Sequence, residues 1–194
     1  MTLKHVAEAM LPTRHGRFRV HAFIDGEGRE HVALTRCEHR HEGPLPVRVH
    51  SRCLTGDTLT SMRCDCRDQL EAAMRFLDKK KCGMLIYLDQ EGRGIGLANK
   101  IKAYSLQDKG MDTVEANVHL GFGEDLRDYK VAADILGHFK VKEIALLTNN
   151  PKKIADLEMH GIKVLERIPL ITRPNRYNRS YLETKRKKMN HMLK

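Results

Sequence analysis

The segment "SRCLTGDTLTSMRCDC", Ser51 to Cys66, holds three of the five cysteines of a 194-residue chain, spaced Cys-x10-Cys-x-Cys. Thiolates at such spacing suit zinc: Cys64 and Cys66 share a tight turn, and the loop through Gly56 can return Cys53 to meet them. Three protein ligands with water in the fourth position make a catalytic zinc, whereas His50 as a fourth ligand would close a structural one. Spacing alone leaves both open, beside the plainer reading of buried thiols. Cys37 and Cys82 read as unpaired, with Cys82 buried at the start of a core strand.

Other short stretches carry weaker signals. In "DQEGRGIGLANK", Asp89 to Lys100, the glycine order is not that of a dinucleotide loop, and a tight strand-to-helix turn explains it equally well. Glu91, Gly92 and Arg93 are more informative: a carboxylate accepts the paired N–H groups of a guanine edge, and a guanidinium forks onto phosphate. "TNNPKK" places Lys152 and Lys153 at a helix N-terminus, where backbone N–H groups attract anions; solvated lysines on a capped helix are the alternative. "EDLRDYK" sets Asp125, Arg127 and Asp128 in a loop entering a helix, a pattern shared with ordinary surface caps.

The elements that must position these groups are partly legible. "GRFRVHAFIDGEGREHVALTR" alternates apolar and polar residues around Asp25–Gly28, so it predicts a β-hairpin, and "LPVRVHS" a further strand. "RDQLEAAMRFLDKKK" carries Leu70, Ala73, Met74 and Leu77 at helical spacing. "CGMLIYL" suits a buried strand, "IGLANKIKAYSLQDKG" a helix closed by Gly110 as its C′ residue, and "RDYKVAADILGHF" another helix. In "KEIALLTNNPKKIADLEMHGIKVLERI" a strand ends at Thr148, Asn149 or Asn150 caps a helix, Pro151 occupies its first turn, and Gly161 closes it before the next strand. This βαβ pattern requires parallel pairing. The expected architecture is α/β: a mixed sheet flanked by helices, with an N-terminal β-hairpin region and a C-terminal βαβ unit. No repeat or linker interrupts residues 1–194, which read as one domain with a basic tail over about 180–194.

Bulk composition narrows the class. Lys and Arg number 35 against 25 Asp and Glu, a net charge of +10, which attracts polyanions such as nucleic acid, an anionic membrane or a phosphate-rich small molecule. Aromatic residues make up 5% and tryptophan is absent, a poor supply of stacking platforms for single strands. No apolar run is long enough for a signal peptide or membrane span. The odd cysteine count without an export signal favours a reducing cytoplasm.

Taken together, "RVHSRCLTGD", "RCDC", "DQEGRGIGL", "KIKAYSLQDKGMDTVEANVHLGF", "DLRDYKVAADIL" and "LLTNNPKKI" resemble, in order and spacing, GTP cyclohydrolase II of riboflavin biosynthesis. The resemblance runs from about Leu3 to the tail and is to the stand-alone form. It implies opening of the GTP imidazole ring with release of formate and pyrophosphate, giving 2,5-diamino-6-hydroxy-4-(5-phosphoribosylamino)pyrimidine. It implies one Zn2+ per subunit on Cys53, Cys64 and Cys66 plus water, and Mg2+ with the triphosphate. GTP contacts carry over to Arg48, Val49, His50, Ser51, Arg52, Gln69, Glu91, Gly92, Arg93, Thr113, Thr148 and Lys153, while Tyr104 reads equally as facing the same site or as a core tyrosine. Asp125 matches the proton acceptor and Arg127 the nucleophile at the α-phosphorus; a guanidinium this basic also suits plain electrostatic stabilisation. A cytoplasmic homodimer is implied. Two positions depart from the family pattern: Arg52 stands where glutamate is usual, and Arg67 where glycine is usual.

A reading from another class is a zinc-stabilised nucleic-acid-binding module, motivated by the charge and the cysteines. It requires basic residues gathered on one face. Here cations alternate with acids inside strand-to-helix loops, as at Glu91/Arg93 and Asp125/Arg127, which suits a small polyanion and not nucleic acid or a membrane.

Overall fold

The computed structural model describes residues 2–37, 43–123, 125–188 and 191–192. Contacts divide the chain into two compact units: Met1–His50, Leu70–Asp89 and Asp128–Leu170 form the first, and Ser51–Gln69, Gln90–Arg127 and Ile171–Lys194 the second.

The first unit is built on a seven-stranded sheet of β1 (Lys4–Thr13), β2 (Gly16–Ile24), β3 (Glu30–Cys37), β4 (Leu45–Ser51), β5 (Cys82–Leu88), β6 (Glu143–Leu147) and β7 (Lys163–Ile168), ordered β1-β2-β3-β5-β4-β6-β7. β1, β2, β3 and β5 pair antiparallel, while β4, β6 and β7 pair parallel, so the sheet is mixed as expected. The predicted hairpin is β2–β3. Its turn is organised by Asp25, whose carboxylate accepts from the backbone N–H groups of Glu27 and Arg29 at 2.9 and 3.0 Å. Gly28, at φ +78°, supplies the left-handed step that a side chain would resist.

Period-two alternation explains how the sheet fills two layers. Met84, Ile86 and Leu88 of β5 join Val47, Val49, Ile144 and Leu146 against α4 (Lys130–His138) and α5 (Pro151–Met159). Leu85, on the other face of β5, packs with Phe18, Leu34 and Leu147 against Ala73 and Leu77 of α1 (Cys66–Asp78). Truncating any of these fully buried aliphatic side chains to alanine should cost about 2–5 kcal/mol.

The C-terminal unit β6–α5–β7 follows its punctuation. Asn150 caps α5 by accepting from the Lys152 N–H at 3.0 Å, Pro151 fills the first turn, and β6 runs parallel to β7. Asn149 serves a different end: its amide both donates to Leu170 O and accepts from Leu170 N, at 2.6 and 3.1 Å.

In the second unit, a π-helical turn (Leu54–Thr58), a 3₁₀ turn (Glu91–Gly94), α2 (Gly96–Gln107), α3 (Thr113–His119) and α6 (Arg179–Lys188) are joined by irregular segments. The basic tail is thus helical through Lys188, and its positions 189, 190, 193 and 194 lie outside the described residues. Among the described residues, no helix is long and apolar enough to cross a membrane.

Four features differ from expectation. "KHVAEAMLPT" forms a full strand, β1, joined to β2 through Arg14 and His15; as a largely exposed edge strand it has no apolar face to betray it. "TVEANVH" forms α3, fixed by a capping box in which Asp112 accepts from the N–H groups of Val114 and Glu115 while Glu115 accepts from that of Asp112. α2 ends at Gln107, so Gly110, at φ +103°, lies one residue beyond the expected C′ position. Lastly, Cys37 and Cys82 are not unpaired thiols: the β3–β5 register sets them directly opposite, and they form a disulfide.

Candidate functional site

In the second unit, Cys53, Cys64 and Cys66 come together as free thiols whose sulfurs lie within 4.8 Å of one another, Cys53 and Cys64 at 3.8 Å. Local hydrogen bonds shape the loop that returns Cys53. The Cys53 N–H donates to Asp57 Oδ2 at 3.0 Å, and the Leu54 N–H donates to Glu91 Oε2 at 2.6 Å. Gly56 is required by space: a Cβ there would stand 2.7 Å from Cys64 Sγ, 3.1 Å from Cys53 Sγ and 3.0 Å from Cys66 Cβ.

The electrostatics favour thiolate at Cys53. Hydrogen bonds from Cys64 and Cys66, with Lys100 added, hold its thiol far below the ordinary range against the opposing effect of burial. The shared proton is correspondingly retained by its neighbours: the hydrogen bond to Cys53 pushes Cys64 up to about 11 and is the first cause raising Cys66 as well. Lys100 Nζ lies 3.1 Å from Cys53 Sγ and 2.8 Å from Glu91 Oε1. Burial alone would lower its pKa, but the Glu91 hydrogen bond and the Cys53 charge drive it upward, so the ammonium is retained. Tyr104, whose hydroxyl lies 3.4 Å from Thr55 Oγ1, is pushed up to about 12 by burial.

The turn between Cys64 and Cys66 is anchored by Asp65, which is 1% exposed. Its carboxylate accepts from Lys185 Nζ at 2.8 Å and Thr172 Oγ1 at 3.2 Å, and also from Gln69 Nε2. The α6 lysine therefore braces the turn between Cys64 and Cys66, a role that a run of basic residues in the sequence does not announce.

Glu91 is buried and its carboxylate is engaged by Leu54 N, Lys100 Nζ and Gly92 N. Gly92 and Arg93 both adopt left-handed backbone, at φ +61° and +63°. For arginine this conformation costs on the order of 1–3 kcal/mol and persists where surroundings impose it. Here Arg93 O accepts from Leu126 N at 3.2 Å. Both terminal nitrogens of Arg93 are buried without a hydrogen-bond partner among the described residues, an arrangement that calls for an anion.

Asp125 and Arg127 form a forked pair. Arg127 donates from Nε to Oδ1 at 2.8 Å and from Nη2 to Oδ2 at 2.5 Å, and its backbone N–H adds a third bond at 3.1 Å. Burial would raise the Asp125 pKa, but these Arg127 contacts lower it below the ordinary carboxylate value. Thr113 opens α3, Ser51 Oγ lies 3.4 Å from Gln90 Oε1, and Arg52 is exposed.

The first unit gathers a second group at the carboxyl ends of the adjacent parallel strands β4 and β6, where open α/β sheets bind ligands. Arg48 donates to Leu147 O at 2.9 Å and approaches His50 Nδ1 at 3.5 Å. His50 stacks on Tyr87 with ring centroids 5.4 Å apart. Val49 is fully buried, and its carbonyl accepts from Lys153 Nζ at 2.6 Å. Thr148 Oγ1 accepts from the Asn150 N–H at 3.1 Å at the mouth of α5. Arg48 and Lys153 are thus buried cations at a helix N-terminus and a strand end, suited to phosphate.

Of the residues singled out by sequence, the thiols, Glu91, Gly92, Arg93, Gln69, Ser51, Thr113, Asp125 and Arg127 belong to the second unit, and Arg48, Val49, His50, Thr148 and Lys153 to the first. Lys100 and Lys185 were missed. The one signal for Lys100 was its place at the end of the "DQEGRGIGLANK" stretch.

The profile of the GTP cyclohydrolase II family matches residues 4–169. The chain is 48% identical over 191 residues to a GTP cyclohydrolase-2 of Picrophilus torridus, covering 98% of this chain and all of that protein. It is 52% identical over 194 residues to a GTP cyclohydrolase-2 of Pseudomonas paraeruginosa, covering 100% and 95%. It is also 53% identical over 193 residues to the riboflavin biosynthesis protein RibBA of Aquifex aeolicus, spanning 98% of this chain and 48% of that longer protein.

Proposed function

Because the chain belongs to the GTP cyclohydrolase II family, we propose that it opens the imidazole ring of GTP by hydrolysis in riboflavin biosynthesis. The products are formate, pyrophosphate and 2,5-diamino-6-hydroxy-4-(5-phosphoribosylamino)pyrimidine. The observation that carries this reading is the cluster of three free thiols with the Lys100 ammonium against it.

The thiol cluster fits zinc. Its ligands are soft and mutually close, with Cys53 and Cys64 buried and Cys66 half-buried, around a glycine whose side chain would fill the cradle. Cys53, Cys64 and Cys66 would hold the ion, which when bound supplies Lewis acidity and a more acidic water for attack at C8. Lys100 offsets the negative charge that three thiolates bring, and Glu91 fixes Lys100 while tying Leu54 to the 3₁₀ turn.

The substrate contacts proposed are Arg48, Val49, His50, Ser51, Arg52, Gln69, Gly92, Arg93, Thr113, Thr148 and Lys153, with Glu91 acting by position. Arg93, with unpartnered buried nitrogens, is suited to a phosphate oxygen. Arg127, held by Asp125, suits stabilisation of charge on the α-phosphate. Moving a guanidinium proton to Asp125 would be uphill by at least about 11 kcal/mol from their ordinary acidities, so an electrostatic role is the simpler one. Magnesium would accompany the triphosphate. In this reading residues 1–194 work as one catalytic domain, in a cytoplasmic homodimer.

The test is to incubate zinc-loaded protein with GTP and Mg2+ and follow formate, pyrophosphate and the pyrimidine product. Stoichiometric formate is expected. Folded, metal-replete protein that releases none overturns the assignment.

A further inference from the structure

A second cluster of metal-ligating side chains lies in the first unit, on the hairpin β1–β2. His5, Glu8 and His21 present ligand atoms that all fall within 4.8 Å of one another. The backbone is arranged to bring them together. His5 and Glu8 are three residues apart, so in a regular strand they would face opposite sides. The register slips between His5 and Ala7, leaving Val6 as a bulge residue: His5 then pairs with Phe23, Ala7 with Ala22 and Glu8 with His21. Since His21 and Phe23 share a face of β2, the bulge delivers His5 and Glu8 to that face together. Bulges serve to re-aim side chains in this way.

The hydrogen bonding leaves ligand atoms uncommitted. His21 is 4% exposed, and its Nε2 lies 3.0 Å from Thr35 Oγ1. With Nε2–H donating to that hydroxyl, Nδ1 carries the lone pair; a second-shell partner of this kind fixes the tautomer of a ligating imidazole. Nδ1 is 3.1 Å from Glu8 Oε2 yet has no aligned hydrogen bond. His5 Nε2 is also buried without a hydrogen-bond partner. Glu8 Oε1 accepts from Arg19 Nη1 at 2.8 Å, which orients the carboxylate and leaves Oε2 toward the histidines. His138, at the end of α4, packs tilted against His5, and Phe139 packs edge-on against His21, with centroids 4.9 Å apart in each case.

We infer that His5, Glu8 and His21 form a binding site for a divalent first-row transition metal of borderline softness, with zinc as its natural probe. Two imidazoles and one carboxylate are the donor set such ions take, leaving a position for water. Zinc at about 2.0–2.2 Å from each donor would set them roughly 3.4 Å apart, so side-chain rotations of about an ångström close the site. Glu8 is exposed, which gives the ion a path from solvent. The bound metal would clamp the edge strand β1 to β2 and uses none of the residues assigned to GTP chemistry, so the inference stands without the proposed function.

Equilibrium dialysis of the full chain against Zn2+, with metal analysis, tests it. The wild type should bind one equivalent more than His5→Ala and Glu8→Gln. The loss of affinity at that equivalent should exceed the ~10–100-fold typical of outer-shell changes. A variant with serine at positions 53, 64 and 66 should keep the equivalent that His5→Ala loses. Proton–nitrogen NMR of the imidazoles should show His5 Nε2 and His21 Nδ1 shifting on zinc addition. Equal zinc content in wild type and His5→Ala, or unmoved imidazole nitrogens at full occupancy, overturns the site.

Discussion

Lys100 Nζ stands 3.1 Å from Cys53 Sγ while donating to the buried carboxylate of Glu91. A cation fixed beside one of three clustered thiols changes what the cluster can do. Three thiolates on a divalent ion leave a net negative charge that blunts Lewis acidity, and an ammonium hydrogen-bonded to one sulfur withdraws part of it. Hydrogen bonds from Cys64 and Cys66, with Lys100 adding to them, hold the Cys53 thiol low, which favours the ligating form.

Replacing Lys100 by methionine keeps the aliphatic stem and removes the charge. Lys100→Met should lower zinc retention or formate release by about 10–100-fold. Metal analysis and formate assay on the same preparation separate the two effects. Wild-type zinc content together with wild-type turnover would remove Lys100 from the reaction.

Gly56 tests the cradle by sterics alone. Its φ is not in the left-handed region, so alanine there brings no backbone strain, but its Cβ would meet Cys64 Sγ at 2.7 Å. One sulfur must move, and misplacement by about 1 Å can cost on the order of 10²-fold in activity. Gly56→Ala should therefore fold, as judged by circular dichroism, and show weakened zinc binding in competition with a chelator. Unchanged zinc affinity would mean that the three sulfurs do not share an ion.

What the sequence made legible depended on how local the signal was. The β6–α5–β7 unit could be read because caps, proline and glycine lie within a few residues of what they punctuate. The cysteine cluster could be read because ten residues separate Cys53 from Cys64 and zinc sites constrain thiol spacing. Lys100 could not: a lysine on a helix reads as solvated, and its partner Glu91 is nine positions away. The Cys37–Cys82 disulfide joins residues 45 apart through a β3–β5 register that only the folded sheet defines. The His5–Glu8–His21 grouping was hidden by the bulge at Val6, which breaks the alternation a reader would count on.

Arg127 divides two mechanisms. Its guanidinium is forked onto Asp125, whose lowered pKa makes it a weak proton acceptor. The expected outcome is that no guanylyl adduct on Arg127 accumulates under single-turnover conditions, as read by intact-protein mass spectrometry. Arg127→Lys, which keeps a positive charge, should retain more pyrophosphate release than Arg127→Ala. An adduct mapped to Arg127 would reverse the assignment to nucleophile, and near-normal turnover of Arg127→Ala would exclude both roles.

Asp25 sets the pH dependence of the β2–β3 hairpin. Burial pushes its carboxyl upward, but bonds from the Arg29 backbone and side chain, from His31 and from the Glu27 N–H outweigh this and hold it well below the ordinary range. A carboxylate whose pKa is depressed on folding contributes stability that is fully present above the unfolded value of about 3.9 and is lost as pH falls toward the folded value. Asp25→Asn should thus destabilise the protein at pH 7 by about 1–3 kcal/mol, the scale of losing charged hydrogen bonds. The gap between wild type and variant in denaturant midpoint should narrow as pH falls below about 4. A gap that stays constant over that range would show that Asp25 acts through shape and not through its charge.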